Sequence, residues 1–405
     1  MESDNDSHAD RAAPGSTLTA TARGASAFNA VVDVREHEPA ADDPAAALFH
    51  PQPQATARAL PGACYVEPHF ATLDRERVFA RGWHLVGHAA QVAQAGSTLT
   101  AEIGGVPLLL TRGDDGVLRA LHNVCRHRAG PLACEPARAA QAGAGGGASD
   151  GVELVCQYHG WRYALDGRLR GAPEMGRAQD FDIGAISLPQ ARVAQWQGVV
   201  FAALDERAGP FDALVAGIDA RLGPAHPLAS YRHRLHVGYD IGCDWKVYVD
   251  NYLEGYHVPR VHPGLNAALD YRSYTTELST RHSLQASPLD SSESLYGKGE
   301  ALYWWLWPTT MLNCLPGRLQ TNRVIPLGPG RCRVEFDFFY APGAEARAEA
   351  DAAFSDEVQR EDIGICEAVQ RGLASGSYTP GRLNPLRESG LWHFHELLRA
   401  AWRAA

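Results

Sequence analysis

Across residues 97–204 apolar and polar positions alternate in short runs, each broken by Gly or Asp. The stretch "VPLLLTRGDDGVLRALHNV" is an apolar run, a GDDG turn and a second alternating run, which predicts a β-hairpin. "WRYALDGRLRGAP" repeats the pattern around a DG turn, and "VAQWQGVVFAAL" closes the set, so this part reads as a small all-β domain. A helix is predicted just before it, in "EPHFATLDRERVFARGW". After about residue 209 the period changes. Trp245, Tyr248, Val249, Tyr252, Leu253 and Tyr256 recur at helical spacing. Strand-like runs follow in "YRSYTTELSTRHSLQAS", "ALYWWLWPTTMLN", "RLQTNRVIPLG" and "RCRVEFDFFYAPG". A long helix, "AEADAAFSDEVQREDIGICEAVQRGLASG", then ends at a glycine stop. Helices beside an antiparallel sheet make the whole chain α+β.

The pattern divides the 405 residues into a tail over 1–59, the β domain over 60–208 and an α+β domain over 209–405. Ala, Asp, Ser and Gly dominate the tail, which is expected to be disordered. Within the β domain "ARAAQAGAGGGASDG" (137–151) has the composition of a flexible loop insert. A net charge of -10 argues against a nucleic-acid partner. No uncharged apolar run reaches the length of a membrane span, and the N-terminus lacks the apolar segment of an export signal. The eight cysteines are scattered, which reads as reduced thiols rather than disulfides, and a cytoplasmic location is expected. "GAGGGA" departs from the dinucleotide-binding pattern and has neither a strand nor a helix beside it, so the chain is expected to carry no nucleotide site of its own.

Two short elements of the β domain carry metal-ligand chemistry. "VCRHRAG" supplies Cys125 and His127, and "VCQYHGW" supplies Cys156 and His159. Two thiolates and two imidazoles suit zinc, and equally a [2Fe–2S] cluster with two histidines on one iron. Zinc sites space paired ligands by two or more residues, whereas C-x-H puts them at alternating positions of a tight turn. Hairpin loops carrying one Cys and one His each therefore fit the cluster, with Cys125 and Cys156 on one iron and His127 and His159 on the other. Cys134 falls outside both motifs and reads as a plain thiol.

A second group lies in "DNYLEGYHVPRVHP" (250–263), where His257 and His262 are five apart with Pro259 between them. On an unbroken helix that spacing parts the side chains; the proline is expected to end or distort the helix so that His262 turns back toward His257. Asp250, Glu254 and His257 fall at i, i+4, i+7, a polar stripe on an otherwise aromatic helix that is costly unless paired or liganded. Two histidines invite a carboxylate, since a 2-His-1-carboxylate triad holds Fe(II) and leaves positions for O2 and substrate. In the long C-terminal helix the apolar stripe Val358, Ile365, Val369, Leu373 is expected to face inward. Asp362 lies within it, Glu361 at its margin, and Glu357 and Glu367 elsewhere, so Asp362 is the expected third ligand.

"CRHRAG", "CQYHGW" and the following "LDGRL" resemble the Rieske domain of the Rieske non-haem iron oxygenases, and "NYLEGYHVPRVHP" and "QREDIGICEAVQRGL" resemble that family's catalytic domain. The resemblance covers roughly 60–398. One departure is the 28-residue gap between His127 and Cys156, longer than usual, which a flexible loop accommodates at small entropic cost. The resemblance implies a Rieske [2Fe–2S] cluster, a mononuclear Fe(II), O2 and a small-molecule substrate, and a separate NAD(P)H-dependent reductase with flavin or ferredoxin. It also implies a homotrimer or a multiple of three in which electrons pass from one subunit's cluster to its neighbour's iron. Glu254 would bridge the two sites through His159 of the neighbour and an iron-ligating histidine, and Asn251 would lie near the iron. Glutamate rather than aspartate at this bridging position is more like the branch acting on choline, glycine betaine and carnitine. The expected substrate is therefore a quaternary ammonium compound, with hydroxylation of an aromatic ring as the alternative. A Rieske electron carrier without catalysis would need no facial triad. "YWWLWP" (303–308) offers an aromatic cage for a cation, although alternating aromatic residues of a buried strand are the commoner explanation.

Overall fold

The computed structural model describes residues 48–132, 152–289 and 296–404; the 137–151 insert, Cys134 and most of the expected tail lie outside them. The alternating runs of the first half become strands as expected. They are β2 (Thr98–Ile103), β3 (Val106–Arg112), β4 (Leu118–His122), β5 (Glu153–Val155), β6 (Arg162–Ala164), β7 (Leu169–Gly171), β8 (Gln190–Trp196) and β9 (Val199–Ala203), preceded by a further strand outside those runs, β1 (His84–His88). The GDDG turn closes β3 on β4, with Gly116 at φ +74° and the Asp115 carboxylate accepting the Val117 N–H at 3.0 Å. Six of these strands form an antiparallel sheet in the order β1-β9-β8-β4-β3-β2, and β5-β6-β7 form a separate three-stranded sheet. A small core that includes Leu109, Leu121, Trp161, Tyr163 and Leu169 packs around the smaller sheet.

The second half is a seven-stranded antiparallel sheet flanked by helices. Its strands are β10 (Arg232–Ile241), β11 (Thr275–Leu278), β12 (His282–Leu289), β13 (Gly299–Leu306), β14 (Thr310–Leu315), β15 (Arg318–Gly328) and β16 (Arg331–Tyr340), in the order β10-β16-β15-β14-β13-β12-β11. The helices that matter for the site are α1 (Trp245–Tyr252), α2 (Val258–Val261), α3 (Pro263–Ala268), α4 (Ala348–Ala374) and α5 (Ser389–Arg403). The last was not anticipated from the sequence. One large core joins both halves, from Ala57 and Val200 through Trp245 and Trp305 to Trp402. A buried charge cluster ties its ends together: Lys246 Nζ lies 2.5 Å from Asp74 Oδ2 and 2.8 Å from Asp244 Oδ1, while the indoles of Trp245 and Trp402 donate to Asp74 at 3.0 and 2.8 Å. Asp244 is also the N-cap of α1, so this cluster anchors the start of the helix that leads to the histidines. Among the described residues no helix is long and apolar enough to cross a membrane.

Three expectations need correction. Residues 48–59, assigned to the tail, pack on the body: Leu48 and Phe49 rest against the main core, and their carbonyls accept from Arg399 and Arg403 of α5. The helix bearing the aromatic stripe does not run to His257. It ends at Tyr252, before Pro259, and Pro259 instead sits in the first turn of a new short helix. Only part of the expected apolar stripe of α4 faces inward: Leu373 is buried and Val358 half-buried, but Ile365 is 37% exposed and Val369 44% exposed. The helix's buried positions are Asp351, Gln359, Cys366, Gln370 and Leu373, a largely polar face on which Asp351, Gln359 Oε1 and Gln370 Oε1 accept hydrogen bonds from other elements.

Candidate metal centres

The two Cys–His loops are built alike. In the first, the Cys125 N–H donates to Gly130 O at 2.9 Å and the Ala129 N–H returns to Cys125 O at 3.0 Å, with Ala129 at φ +58°. In the second, Cys156 N–H donates to Trp161 O at 2.8 Å and Gly160 N–H to Cys156 O at 2.9 Å, with Gly160 at φ +69°. Each tight loop buries its cysteine and carries its histidine two or three residues onward toward the surface. The His127 and His159 rings come to 4.6 Å between centroids, and His127 is stacked on Trp161 at 4.8 Å. His127 Nδ1 is buried without a hydrogen-bond partner among the described residues, an orphan donor or acceptor that a metal would satisfy. Beside the thiols, Tyr163 Oη accepts the Arg126 N–H at 3.0 Å and lies 3.2 Å from Cys125 Sγ, so its own proton is free to reach the sulfur. The donor set and its placement fit a [2Fe–2S] cluster.

The second centre assembles from the two ends of one short helix and the middle of a long one. His257 is the N-cap of α2 and His262 its C-cap, so the intervening four-residue helix brings the two imidazoles together edge to face, 5.0 Å between ring centroids. Their Nε2 atoms are 3.2 Å apart, and Asp362 Oδ1, projecting from α4, lies 3.0 Å from His262 Nε2 and 3.8 Å from His257 Nε2. Among the described residues this is the one compact group of three metal-ligand side chains. Each member is held from behind. Glu254 Oε1 is 2.6 Å from His257 Nδ1, Glu361 Oε2 is 2.7 Å from His262 Nδ1, and the Asn251 amide donates to Asp362 Oδ1 at 2.6 Å. Carboxylates on Nδ1 leave both Nε2 atoms as the metal-facing positions, which is how carboxylates orient histidine ligands. Glu361, marginal to the expected inward stripe, is in the middle of α4 one residue before Asp362, and that adjacency to the expected ligand is the signal the sequence offers. Asp250, by contrast, turns away from the centre and pairs with Tyr65 at 2.6 Å and His395 at 3.0 Å.

The triad lies on the wall of a cavity of about 840 Å³, its mouth included. Seven aromatic rings line it: Tyr248, Tyr252, Tyr274, Tyr296, Tyr303, Phe336 and Phe354. Burial pushes the phenols of Tyr252 and Tyr274 well above their ordinary range, so these rings present neutral hydroxyls. Of the "YWWLWP" run only Tyr303 reaches the cavity; Trp304, Trp305 and Trp307 are core residues, and Trp305 packs on Phe394 of α5. The carboxylates lining the cavity, Glu254 and Asp362, are both engaged within the triad.

Comparison with known proteins agrees with this geometry. Residues 82–189 match the family described as Rieske [2Fe-2S] domain, and residues 228–404 match Ring hydroxylating alpha subunit (catalytic domain). The chain is 37% identical over 359 residues to choline monooxygenase, chloroplastic, of Arabidopsis thaliana, covering 84% of this chain and 81% of that one. It is 30% identical over 362 residues to the carnitine monooxygenase oxygenase subunit of Escherichia coli (strain K12), covering 85% and 94%. Among solved structures, the quaternary ammonium Rieske monooxygenase CntA in complex with L-carnitine superposes with a TM-score of 0.74 at 25% identity over 87% of this chain and all of that one. Naphthalene 1,2-dioxygenase from Rhodococcus shares the fold alone, with a TM-score of 0.67 at 17% identity over 85% of this chain and 94% of that one. With both domains matched in order and both metal centres accommodated, the chain belongs to the Rieske non-haem iron oxygenases, oxidoreductases that carry a Rieske [2Fe–2S] cluster and a mononuclear iron.

Proposed function

We propose that this chain is the oxygenase component that hydroxylates or oxidatively demethylates a small quaternary ammonium compound, drawing electrons from a separate NAD(P)H-dependent reductase. Cys125 and Cys156 hold one iron of the cluster and His127 and His159 the other, while His257, His262 and Asp362 hold the mononuclear iron. When bound, the cluster passes single electrons and the mononuclear iron binds O2 beside the substrate. The overall balance for insertion is R–H + O2 + 2e⁻ + 2H⁺ → R–OH + H2O.

The chain's own side chains arrange this. Glu254 and Glu361 fix the two imidazoles, and Asn251 orients the Asp362 carboxylate. Glu254 also accepts the backbone N–H groups of Tyr256 and His257, which holds the turn leading out of α1. His159 is exposed at the tip of its loop beside Tyr158, itself 55% exposed. That placement supports transfer to a neighbouring subunit in a homotrimer, with Glu254 as the bridge between His159 of one subunit and His257 of the next.

The observation that carries the substrate reading is the cavity. Aromatic rings with neutral phenols and no disengaged carboxylate in the described lining suit a methylated ammonium, which aromatic faces attract without a charge partner. The relatives named for choline and carnitine support it. The test is a substrate screen with a matched reductase, scoring oxygenated or demethylated products by mass. Turnover of methylammonium compounds is expected. Turnover of aromatic acids alone would overturn the proposal in favour of ring hydroxylation.

A further inference from the structure

One wall of the cavity is polar, and its hydrogen bonds run in a single direction. Strand alternation puts Arg318, Gln320 and Asn322 on the same face of β15, and Asn313 of β14 is paired in register with Gln320. All four line the cavity and are at least nine-tenths buried. Arg318 Nη2 donates to Gln320 Oε1, and Gln320 Nε2 donates to Asn322 Oδ1 at 2.9 Å. The Ser355 hydroxyl adds a second donor to Gln320 Oε1 at 3.3 Å, and the Tyr252 hydroxyl donates to Asn313 Oδ1 at 2.7 Å. Every side-chain oxygen of the wall is thus taken by a protein donor.

What the wall has left are N–H groups. Nη1 of Arg318 and the Nδ2 amides of Asn313 and Asn322 have no hydrogen-bond partner among the described residues, and none of the three is sealed from the cavity. Arg318 also brings charge. Its Nε lies 2.7 Å from Asp351 Oδ2, an ion-pair contact rather than an aligned hydrogen bond. Asp351 in turn accepts the hydroxyls of Tyr296 and Tyr340, which spread its negative charge over three donors. Donors buried without acceptors are costly, and a planar guanidinium beside two amides matches a carboxylate. The acidic side chains lining the cavity are already committed to the triad, so the missing acceptor has to come with the ligand.

Building on the quaternary ammonium reading, we propose that the substrate is a trimethylammonium carboxylate, held by its carboxylate on Arg318, Asn322 and Asn313 and by its methylated nitrogen among the aromatic rings. An amino alcohol such as choline offers this wall only a neutral hydroxyl.

The experiment is calorimetric titration of the oxidised holoenzyme, without reductase, using glycine betaine, γ-butyrobetaine and L-carnitine against choline and tetramethylammonium. At least one of the carboxylates is expected to bind on the order of tenfold or more tighter than choline. Asn322→Asp keeps the oxygen that accepts from Gln320 and replaces the free amide by a carboxylate; it is expected to weaken the carboxylates by about tenfold or more while choline binds as well or better. Arg318→Met should act in the same direction, but it strands Asp351, so Asn322→Asp decides if that variant does not fold. Choline binding as tightly as every carboxylate, or equal losses for both classes in Asn322→Asp, would overturn the carboxylate wall and leave the quaternary ammonium reading standing. If none of these compounds binds, the quaternary ammonium reading falls, and the carboxylate wall with it.

Discussion

His257 and His262 meet through their Nε2 atoms at 3.2 Å because a single four-residue helix separates them, each histidine capping one end. A separation of five on a continuous helix would point the rings apart. Here the backbone leaves α1 at Leu253, turns through Gly255 and restarts at Val258, so both rings open toward α4 and Asp362.

Asp362→Ala removes one of the three groups of this centre. Anaerobically reconstituted protein is expected to fall from about three irons per subunit to about two, with turnover abolished and the reduced cluster's EPR signal intact. Metal analysis beside EPR checks it, and retained activity would show that another carboxylate completes the site.

Glu361 acts on iron through His262. Glu361→Leu removes the acceptor 2.7 Å from Nδ1 and frees the ring to rotate, which should weaken mononuclear iron binding by about 10- to 100-fold. Glu361→Gln keeps an acceptor oxygen and should restore most of that loss. Chelator competition measures both, and identical iron affinities across the three proteins would remove Glu361 from the site.

Glu254→Gln should leave both metals bound, since the amide oxygen can still accept from His257 Nδ1–H. Losing the charge between the two centres is expected to slow electron arrival at the mononuclear iron. Single-turnover kinetics of the pre-reduced protein read this directly, and an unchanged rate means electrons pass elsewhere.

Much of this was legible in the sequence, for a physical reason that also sets its limit. The Cys125–His127 and Cys156–His159 loops are local, so ligand type and spacing specify them almost completely. Most strands of the three sheets follow from alternation and turn residues, whereas β1 and β10 lie outside the runs that read as strands. Asp362 follows from an inward stripe of Val358, Ile365, Val369 and Leu373, yet two of those four residues, Ile365 and Val369, are exposed. The true inner face of α4 is polar, with Gln359 accepting from the Tyr248 hydroxyl at 2.8 Å and Gln370 from the Asp244 N–H at 2.9 Å. Hydrophobic periodicity does not report a buried face whose polar groups are satisfied by distant partners. The same blindness hid Glu361 and the Arg318 wall, whose partners come from other elements.

Acid should destabilise the fold through its buried histidines. Burial pushes His84 and His88 down to about 4 from the ordinary 6.5. Both stay neutral in the fold while the unfolded chain takes up protons below pH 6.5. Unfolded chains therefore bind more protons between pH 6.5 and about 4, and stability falls as pH is lowered through that window. Each histidine contributes up to about 2 kcal/mol of loss between pH 7 and 5. Thermal melts across this range check it. His84→Gln, which keeps a donor for the Phe79 carbonyl 2.9 Å away, should flatten the curve, and an unaltered slope would assign the acid sensitivity to other groups.

Gly255 sits where the turn out of α1 passes under the cavity. A Cβ there would stand 2.9 Å from Tyr274 Cε1 and 3.0 Å from Cζ, closer than side chains tolerate. Tyr274 cannot simply back away, because its hydroxyl donates to Gln285 Oε1 at 3.1 Å and Gln285 Nε2 donates to the Tyr252 carbonyl at 2.7 Å. Gly255→Ala therefore drives the ring into the substrate space, with overpacking of about 1–3 kcal/mol. The triad is attached through other contacts, so iron content and the cluster spectrum should hold while KM rises roughly tenfold and kcat changes by less than about threefold. Iron analysis beside steady-state kinetics separates the outcomes: loss of iron would mean that Gly255 serves the histidine turn itself, and unchanged kinetics would mean that Tyr274 does not border the bound substrate.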